Sequence, residues 1–207
     1  MAKAVKDATN DAKGIIESGK PFRVSVTICG VADILMHRWS TEAVAAKSDA
    51  KKGSAAKKTD DLESYAYRDH DGYLSIPGDA LKGAIAMAAK SFSDPRSPRK
   101  SAMDLVKASI VIETRMARIL SAKSNESVKA WDYEDARRVR IQQNAVTRTR
   151  PAMTVGWKAT FTILVLAPQY VDAAMLKELI DNAGQFVGVL DHRPTYGRFT
   201  VVSFETI

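Results

Sequence analysis

The sequence predicts an α+β protein with a ferredoxin-like core, in which an antiparallel sheet carries both helices on one face. Strand-like and helix-like segments follow one another in the order β-α-β-β-α-β once two long excursions are set aside. Residues 22–30 alternate large apolar residues with polar ones, and residues 198–204 repeat that alternation near the end of the chain. A period of two is typical of a half-buried strand.

Two more segments predict the remaining strands of the core. Residues 155–167 alternate at first and then become continuously apolar, which is typical of a long central strand, and Pro168 ends it. Residues 106–113 are apolar and rich in β-branched side chains. Together with the two outer segments they complete a set of four strands.

Apolar residues at helical spacing predict the two helices. The first begins at Pro77-Gly78-Asp79, where Asp79 is a suitable N-cap, and its apolar residues recur every three or four positions. Its small residues keep it thin enough to lie close to a sheet or a neighbouring chain. The second covers residues 172–184 and ends at Gly184.

The chain length and composition predict one domain with insertions. The chain has 207 residues, and 45% of them are hydrophobic, which is enough for a substantial core. Residues 1–20 are rich in Ala, Lys and Asp and predict a flexible tail or short helix. The domain then covers residues 21–207, with insertions at about 31–75 and 114–152.

Charge and cysteine usage indicate an anionic partner and an intracellular location. The net charge is +7, which favours nucleic acid or another acidic surface. Cys29 is the single cysteine, so no internal disulfide can form, and a reducing compartment such as the cytoplasm fits. No apolar run reaches the length of a membrane span, and the first residues lack the apolar core of a signal peptide.

An arginine-rich run between Ala136 and Pro151 is the strongest sign of a binding surface. It contains no acid and five arginines: Arg137, Arg138, Arg140, Arg148 and Arg150. The period of two in Arg138, Arg140 and Gln142, repeated in the last two arginines, predicts a strand or hairpin that presents guanidinium and amide groups on one face. Arginine makes forked hydrogen bonds to phosphate, so the pattern favours a polyanion. The alternative is a solvated strand paired with the acidic cluster at 132–135.

Other segments combine cations with rings or with a helix terminus. Arginines near the last loop can neutralise phosphates, a tyrosine there can stack on a base, and a lysine near a helix N-terminus suits a phosphate. A tryptophan beside an arginine can stack too, although such a tryptophan is more often part of the core or of an oligomer interface. These nucleic-acid-binding candidates are Arg38, Trp39, Lys82, Arg96, Arg99, Lys100, His192, Arg193, Tyr196 and Arg198.

Three places resemble the RAMP superfamily, the ferredoxin-like proteins of CRISPR effector complexes, and most of all its backbone subunit. Residues 76–84 (IPGDALKGA) resemble the segment by which that family enters its first helix, and residues 188–199 (GVLDHRPTYGRF) resemble its glycine-containing loop before the last strand. The arginine-rich excursion lies where the family inserts a β-hairpin thumb. The resemblance implies single-stranded RNA or DNA binding by a repeating protomer, in a homo-oligomer or multi-subunit ribonucleoprotein. A phage or mobile-element relative fits equally.

The residues favour a binding protein over an enzyme. We expect no metal and no cofactor, because the sequence lacks paired metal-ligand spacings and phosphate-binding glycine motifs. His37, His70 and His192 lie far apart in sequence, and we name none of them as catalytic. Two alternatives stay open: a metal-independent endoribonuclease of the same superfamily, and a phage-encoded structural or effector-mimicking interaction protein.

Overall fold

The structure, a computed structural model, describes residues 19–49, 61–141 and 144–207, and most of its regular structure there is antiparallel β-sheet. The strands of this part of the chain are β1 (Phe22–Gly30), β2 (Ile34–Leu35), β3 (Ser75–Pro77), β4 (Ser93–Asp94), β5 (Ser97–Ser101), β6 (Ile110–Ile112), β7 (Met116–Arg118), β8 (Tyr133–Ile141), β9 (Asn144–Met153), β10 (Lys158–Val165) and β11 (Phe199–Thr206). Its α-helices are α1 (Thr41–Asp49), α2 (Leu62–Tyr65), α3 (Gly78–Ala88), α4 (Met103–Ser109) and α5 (Ala173–Asn182).

The main sheet has four antiparallel strands in the order β11-β1-β10-β6. Helix α3 packs against β6, α5 packs against β11, and the two helices contact each other. Side chains that alternate along β1 and β10 point into the core beneath them, and Val26, Ile28 and Phe161 are fully buried there. The expected α+β class with antiparallel strands is therefore confirmed.

Two local predictions about the core elements are wrong. Residues 103–109 form helix α4, and the strand begins only at Ile110. The buried residues of α4 are Leu105, Val106 and Ser109, whose spacing is helical rather than alternating. Asp79 is not the N-cap of α3. That position is taken by Pro77, and Asp79 lies inside the first turn, where a carboxylate interacts favourably with the helix dipole.

The other face of the main sheet is open, and it carries small polar groups. On β1 the outward positions include Ser25 and Thr27, and the Thr27 hydroxyl lies 2.9 Å from that of Thr160 on β10. Arg23 donates to Glu113 across the same face, with nitrogen–oxygen distances of 2.9–3.1 Å. Among the outward positions of β1 and β10 none is aromatic. Base stacking of the kind used on open sheets by RNA-recognition domains therefore has no ring available on these two strands.

Strands β8 and β9 form a long hairpin inserted before β10. Each residue from Tyr133 to Ile141 has an antiparallel partner on β9, and Ile34–Leu35 of β2 extends this sheet on the β9 side. At its base, Asp33 accepts hydrogen bonds from the Tyr133 hydroxyl at 2.7 Å and from the Val155 amide at 2.8 Å. Burial, and then Asp33, raise the pKa of Tyr133. These bonds fix the base of the hairpin to the segment that follows β1.

Residues 1–18 of the expected N-terminal tail lie outside the described part of the chain. The division into a tail and one domain with two insertions stays a prediction. Within the described residues, no helix is long and apolar enough to cross a membrane.

Candidate nucleic-acid interface

The register of the β8–β9 hairpin divides its arginines between two faces. Residues directly opposite each other in an antiparallel pair share a face. Arg137 lies opposite Arg148, and Asp135 opposite Arg150, so these four share one face. Arg138 lies on the other face, where it is exposed. The five arginines therefore do not form one continuous row.

Two further predicted binding residues are Arg140 and Gln142. Arg140 pairs with Ala145 in the register. Its side chain, like the whole of Gln142, lies outside the part of the chain that the structure describes.

Arg150 forms a buried ion pair with Asp191. Its side chain is only 8% exposed, and its Nε lies against the Asp191 carboxylate in the loop before β11. This guanidinium is enclosed between the hairpin and the loop and is not accessible to a phosphate. The prediction that Arg150 binds nucleic acid is therefore wrong.

Arg137 joins the hairpin to the same loop through Tyr196. Its guanidinium carbon lies 4.6 Å from the centre of the Tyr196 ring, and it also contacts the ring hydroxyl. Its Nε donates to Asp135 at 2.6 Å. The side chain is still 38% exposed, so part of the guanidinium remains accessible beside a ring. His192 lies 5.6 Å from the same ring, centre to centre.

Arg148 lines a pocket of about 180 Å³ together with two other predicted binding residues, Arg38 and Trp39. We call this the Trp39 pocket, and it is lined by His37, Arg38, Trp39, Ser40, Ala43, Ser64, Tyr65 and Arg148. Arg148 donates to the Tyr65 hydroxyl at 3.0 Å, and the His37 ring meets Tyr65 edge-on at 4.4 Å. Trp39 is 74% exposed, far more than a core residue would be. Two segments more than 100 residues apart thus bring an accessible indole and two guanidinium groups to the lining of one pocket.

A wider cleft of about 790 Å³ continues from Arg38. We call it the basic cleft, and it is lined by Arg38, Tyr67, Arg68, Asp69, His70, Pro77, Arg115, Met116 and Arg118. Arg38 and Arg115 are exposed and have no ion pair among the described residues. Pro77 brings the N-terminus of α3 to the same cleft. An anion in this cleft would meet two uncompensated guanidinium groups.

The other two arginines of the basic cleft are held by acids. Arg68 donates to Glu63 at 2.9 Å and to the carbonyl oxygens of Gly72 and Lys129 at 2.8 and 2.7 Å. The hydrogen bond from Arg68 keeps the pKa of Glu63 below its ordinary value. These bonds fix the turn before β3, so Arg68 builds the wall of the cleft.

Arg118 is enclosed by Asp69 and Asp71. Its Nε donates to Asp69 at 2.5 Å, it also contacts Asp71, and its guanidinium lies 4.4 Å from the centre of the Tyr73 ring. Asp69, His70 and Asp71 bring possible ligand atoms within 4.8 Å of one another. Both carboxylates already face a cation, which disfavours a metal ion there.

Arg193 and the loop before β11 border a third pocket, which is smaller than the basic cleft. We call it the Asp79 pocket. It measures about 210 Å³ and is lined by His37, Tyr67, Asp79, Ala80, Gly83, Leu190, Asp191 and Arg193. The Gly197 amide donates to the Asp33 carbonyl at 2.8 Å and its carbonyl accepts from Val189 at 2.9 Å, which fixes the loop. Burial raises the pKa of Tyr67, and nearby Asp191 acts in the same direction.

Five predicted residues lie away from these pockets. Arg198 lines a separate cleft with Val31 and Asp181, not the one that contains Arg193. Arg96 is paired with Asp94 at 2.7 Å on the β4–β5 hairpin, where Arg99 and Lys100 are exposed. Lys82 is half-buried on α3 and does not line the pockets described above.

The sequence interpretation missed Arg115 and Arg118. They lie three residues apart around the start of β7, in a segment that was assigned only to an insertion. Their spacing alone indicated neither the face of a strand on which they lie nor the residues that they contact. The cleft forms because β7 pairs with β3, which lies 40 residues earlier in the chain.

Comparison with known proteins supports the fold. No known protein family and no curated protein matches the sequence. A chain in the cryo-EM structure of Type III-B Cmr-beta bound to cognate target RNA superposes with a TM-score of 0.54 at 9% identity. The match covers 91% of this chain and 61% of that chain. At this identity the likeness shows a shared fold and no more.

Proposed function

We propose that this chain binds single-stranded RNA without cleaving it, and that it does so as a RAMP-like backbone subunit. The observation that carries the proposal is that Arg38, Trp39 and Arg148 line one pocket, and that Arg38 also lines the basic cleft. Cations that can neutralise phosphates therefore lie beside a ring that can stack on a base. This pairing is typical of surfaces that bind single strands.

The strand order supports a RAMP-like, ferredoxin-like assignment. Strand β1, helix α3, strands β6 and β10, helix α5 and strand β11 follow the order β-α-β-β-α-β, and the last strand lies beside the first. The segment at 76–84 leads into α3, and the segment at 188–199 leads into β11. The β8–β9 hairpin then corresponds to the inserted thumb.

The proposed path of the strand runs along the basic cleft and past Trp39. Arg38 and Arg115 would contact phosphates, because they are exposed and their charge is uncompensated among the described residues. Phosphate contacts carry no base information, so we expect low sequence specificity. Repetition of such protomers along one strand, in a homo-oligomer or a multi-subunit ribonucleoprotein, is the arrangement that the RAMP resemblance implies.

Fluorescence anisotropy with a labelled single-stranded RNA tests the proposal. We expect the affinity to fall steeply as salt rises from about 50 to about 200 mM, because bound cations release counterions from the phosphates. Arg38→Gln and Arg115→Gln should each weaken binding and reduce the slope of log K against log salt by about one. Lys177→Gln is the matched control, since Lys177 pairs with Asp181 on the surface of α5, at 2.7 Å.

Three results would contradict the proposal. Absence of binding would favour a protein-interaction role. Equal losses with the Lys177 control would show that only net charge matters. RNA shortened by the wild-type protein on a denaturing gel would favour the endoribonuclease alternative. Assembly is measured separately, by sedimentation of the protein with oligonucleotides of increasing length, which should give complexes whose mass grows with the strand.

A further inference from the structure

The Asp79 pocket contains an exposed carboxylate next to a cationic surface. Asp191, its other acid, is already paired with Arg150. Asp79 is exposed, and it has neither a hydrogen bond from a side chain nor an ion pair among the described residues. Its charge repels phosphates, yet a carboxylate readily accepts a hydrogen bond from a neutral hydroxyl. The pocket therefore suits an uncharged donor.

The remaining walls of the pocket also favour a small polar group. The Tyr67 hydroxyl is neutral near pH 7, as a tyrosine ordinarily is, so it can donate as well as accept. Gly83 lies on the exposed side of α3, and a Cβ added there would meet nothing within 4 Å. The volume of about 210 Å³ equals about seven water molecules at ~30 Å³ each, which leaves room for the edge of a sugar ring.

The pocket lies beside the proposed path of the strand. Tyr67 lines both the Asp79 pocket and the basic cleft, and His37 lines both the Asp79 pocket and the Trp39 pocket. A nucleotide with its phosphate at Arg38 therefore has its sugar within reach of the space between Tyr67 and His37. Repulsion disfavours a phosphate next to the Asp79 carboxylate, although the exposed Arg193 lines the same pocket.

We propose that the Asp79 carboxylate accepts a hydrogen bond from a ribose 2′-hydroxyl and so makes this chain select RNA over DNA. This inference rests on the proposed function, because it assumes that a single strand lies in the basic cleft. The ligand class is a ribonucleotide within a strand. A deoxyribonucleotide would leave the carboxylate facing a carbon-bound hydrogen, with no donor in its place.

Anisotropy with three labelled strands of equal length tests the site: oligouridine, oligodeoxyuridine and 2′-O-methyl oligouridine. Uracil has no exocyclic amine, so a base amine cannot replace the hydroxyl as donor. We expect the wild-type protein to bind oligouridine at least about tenfold more tightly than either of the others, as for a hydrogen bond to a charged group. Asp79→Ala should bring the three affinities together.

Asp104→Ala is the matched control, because Asp104 is another exposed aspartate in the first turn of a helix. It should keep the RNA preference. Gly83→Leu is an independent variant that fills the pocket without touching a charge, and it too should abolish the preference. Binding by the wild-type protein with no preference, or a preference that survives in both pocket variants, would overturn this inference alone. Absence of all binding would overturn the proposed function and this inference with it.

Discussion

Arg150 of the β8–β9 hairpin and Asp191 of the loop before β11 form an ion pair that is largely shielded from water. The arginine side chain is 8% exposed and the aspartate side chain 32% exposed. The two residues are 41 positions apart, and the pair is a charged contact between the hairpin and the loop. It therefore holds the hairpin against the loop whose residues Asp191 and Arg193 line the Asp79 pocket.

Arg150→Met should destabilise the protein by about 3 kcal/mol, because removal of one partner leaves a partly buried carboxylate without its counter-charge. Urea unfolding monitored by circular dichroism measures the loss. Arg23→Met is the control: the Arg23–Glu113 pair lies on the open sheet face and is 53% and 32% exposed, so its loss should cost less than about 1 kcal/mol. The double variant Arg150→Met/Asp191→Leu should recover part of the loss. Equal effects of the two single variants would contradict this account.

The main strands were predictable from the sequence because burial on one face imposes alternation. In β1, Val24, Val26 and Ile28 are fully buried while the residues between them stay partly exposed, so the pattern is visible in the sequence. Helix α4 was not predicted, because its apolar residues are too few to show a period. It is seven residues long, and a short apolar segment fits either period.

The sequence did not indicate which of the arginines are accessible and which are buried in contacts within the protein. Whether a guanidinium is free depends on contacts between distant segments: Arg150 meets Asp191, and Arg137 meets Tyr196, 59 residues away. The acidic cluster at 132–135 contributes the contact of Asp135 with Arg137, and it contributes neither of the contacts with the distant loop. The basic cleft depends likewise on the pairing of β3 with β7, for which the sequence contains no local signal.

Gly197→Ala should destabilise the protein by at least about 2 kcal/mol, because φ is +72° there and a left-handed backbone is strained for other residues. A Cβ at this position would also lie 1.9 Å from the Val189 carbonyl oxygen. Gly83→Ala is the control within α3, where a Cβ meets nothing within 4 Å. It should stabilise the helix by about 0.5–1 kcal/mol. Thermal unfolding measures both, and a tolerated Gly197→Ala would show that the loop rearranges.

The Arg96–Asp94 pair should make stability depend on pH in the acid range. Hydrogen bonds from Arg96 keep the pKa of Asp94 below its ordinary value. The pair therefore stabilises the fold fully above the unfolded-state pKa of about 3.9, and the contribution is lost as the pH falls through the lowered folded-state pKa. Urea midpoints of wild type and Arg96→Gln should differ at neutral pH and converge at about pH 2. Arg99→Gln, on the same hairpin, should show no such convergence, and a difference between wild type and Arg96→Gln that persists at low pH would count against the pair.

Trp39→Ala should weaken RNA binding without changing its dependence on salt. The indole is 74% exposed beside Arg38 and carries no charge, so its contribution to binding would come from stacking on a base. Loss of one stacked base costs about 1–3 kcal/mol, or about 5- to 150-fold in affinity. Anisotropy at several salt concentrations separates the two effects, because the slope of log K against log salt reports only phosphate contacts. Trp39→Phe should retain part of the affinity, and Val202→Ala, at an exposed apolar position of β11, should retain all of it. An unchanged affinity in Trp39→Ala would show that the indole does not contact the RNA. It would favour a contact between protomers instead.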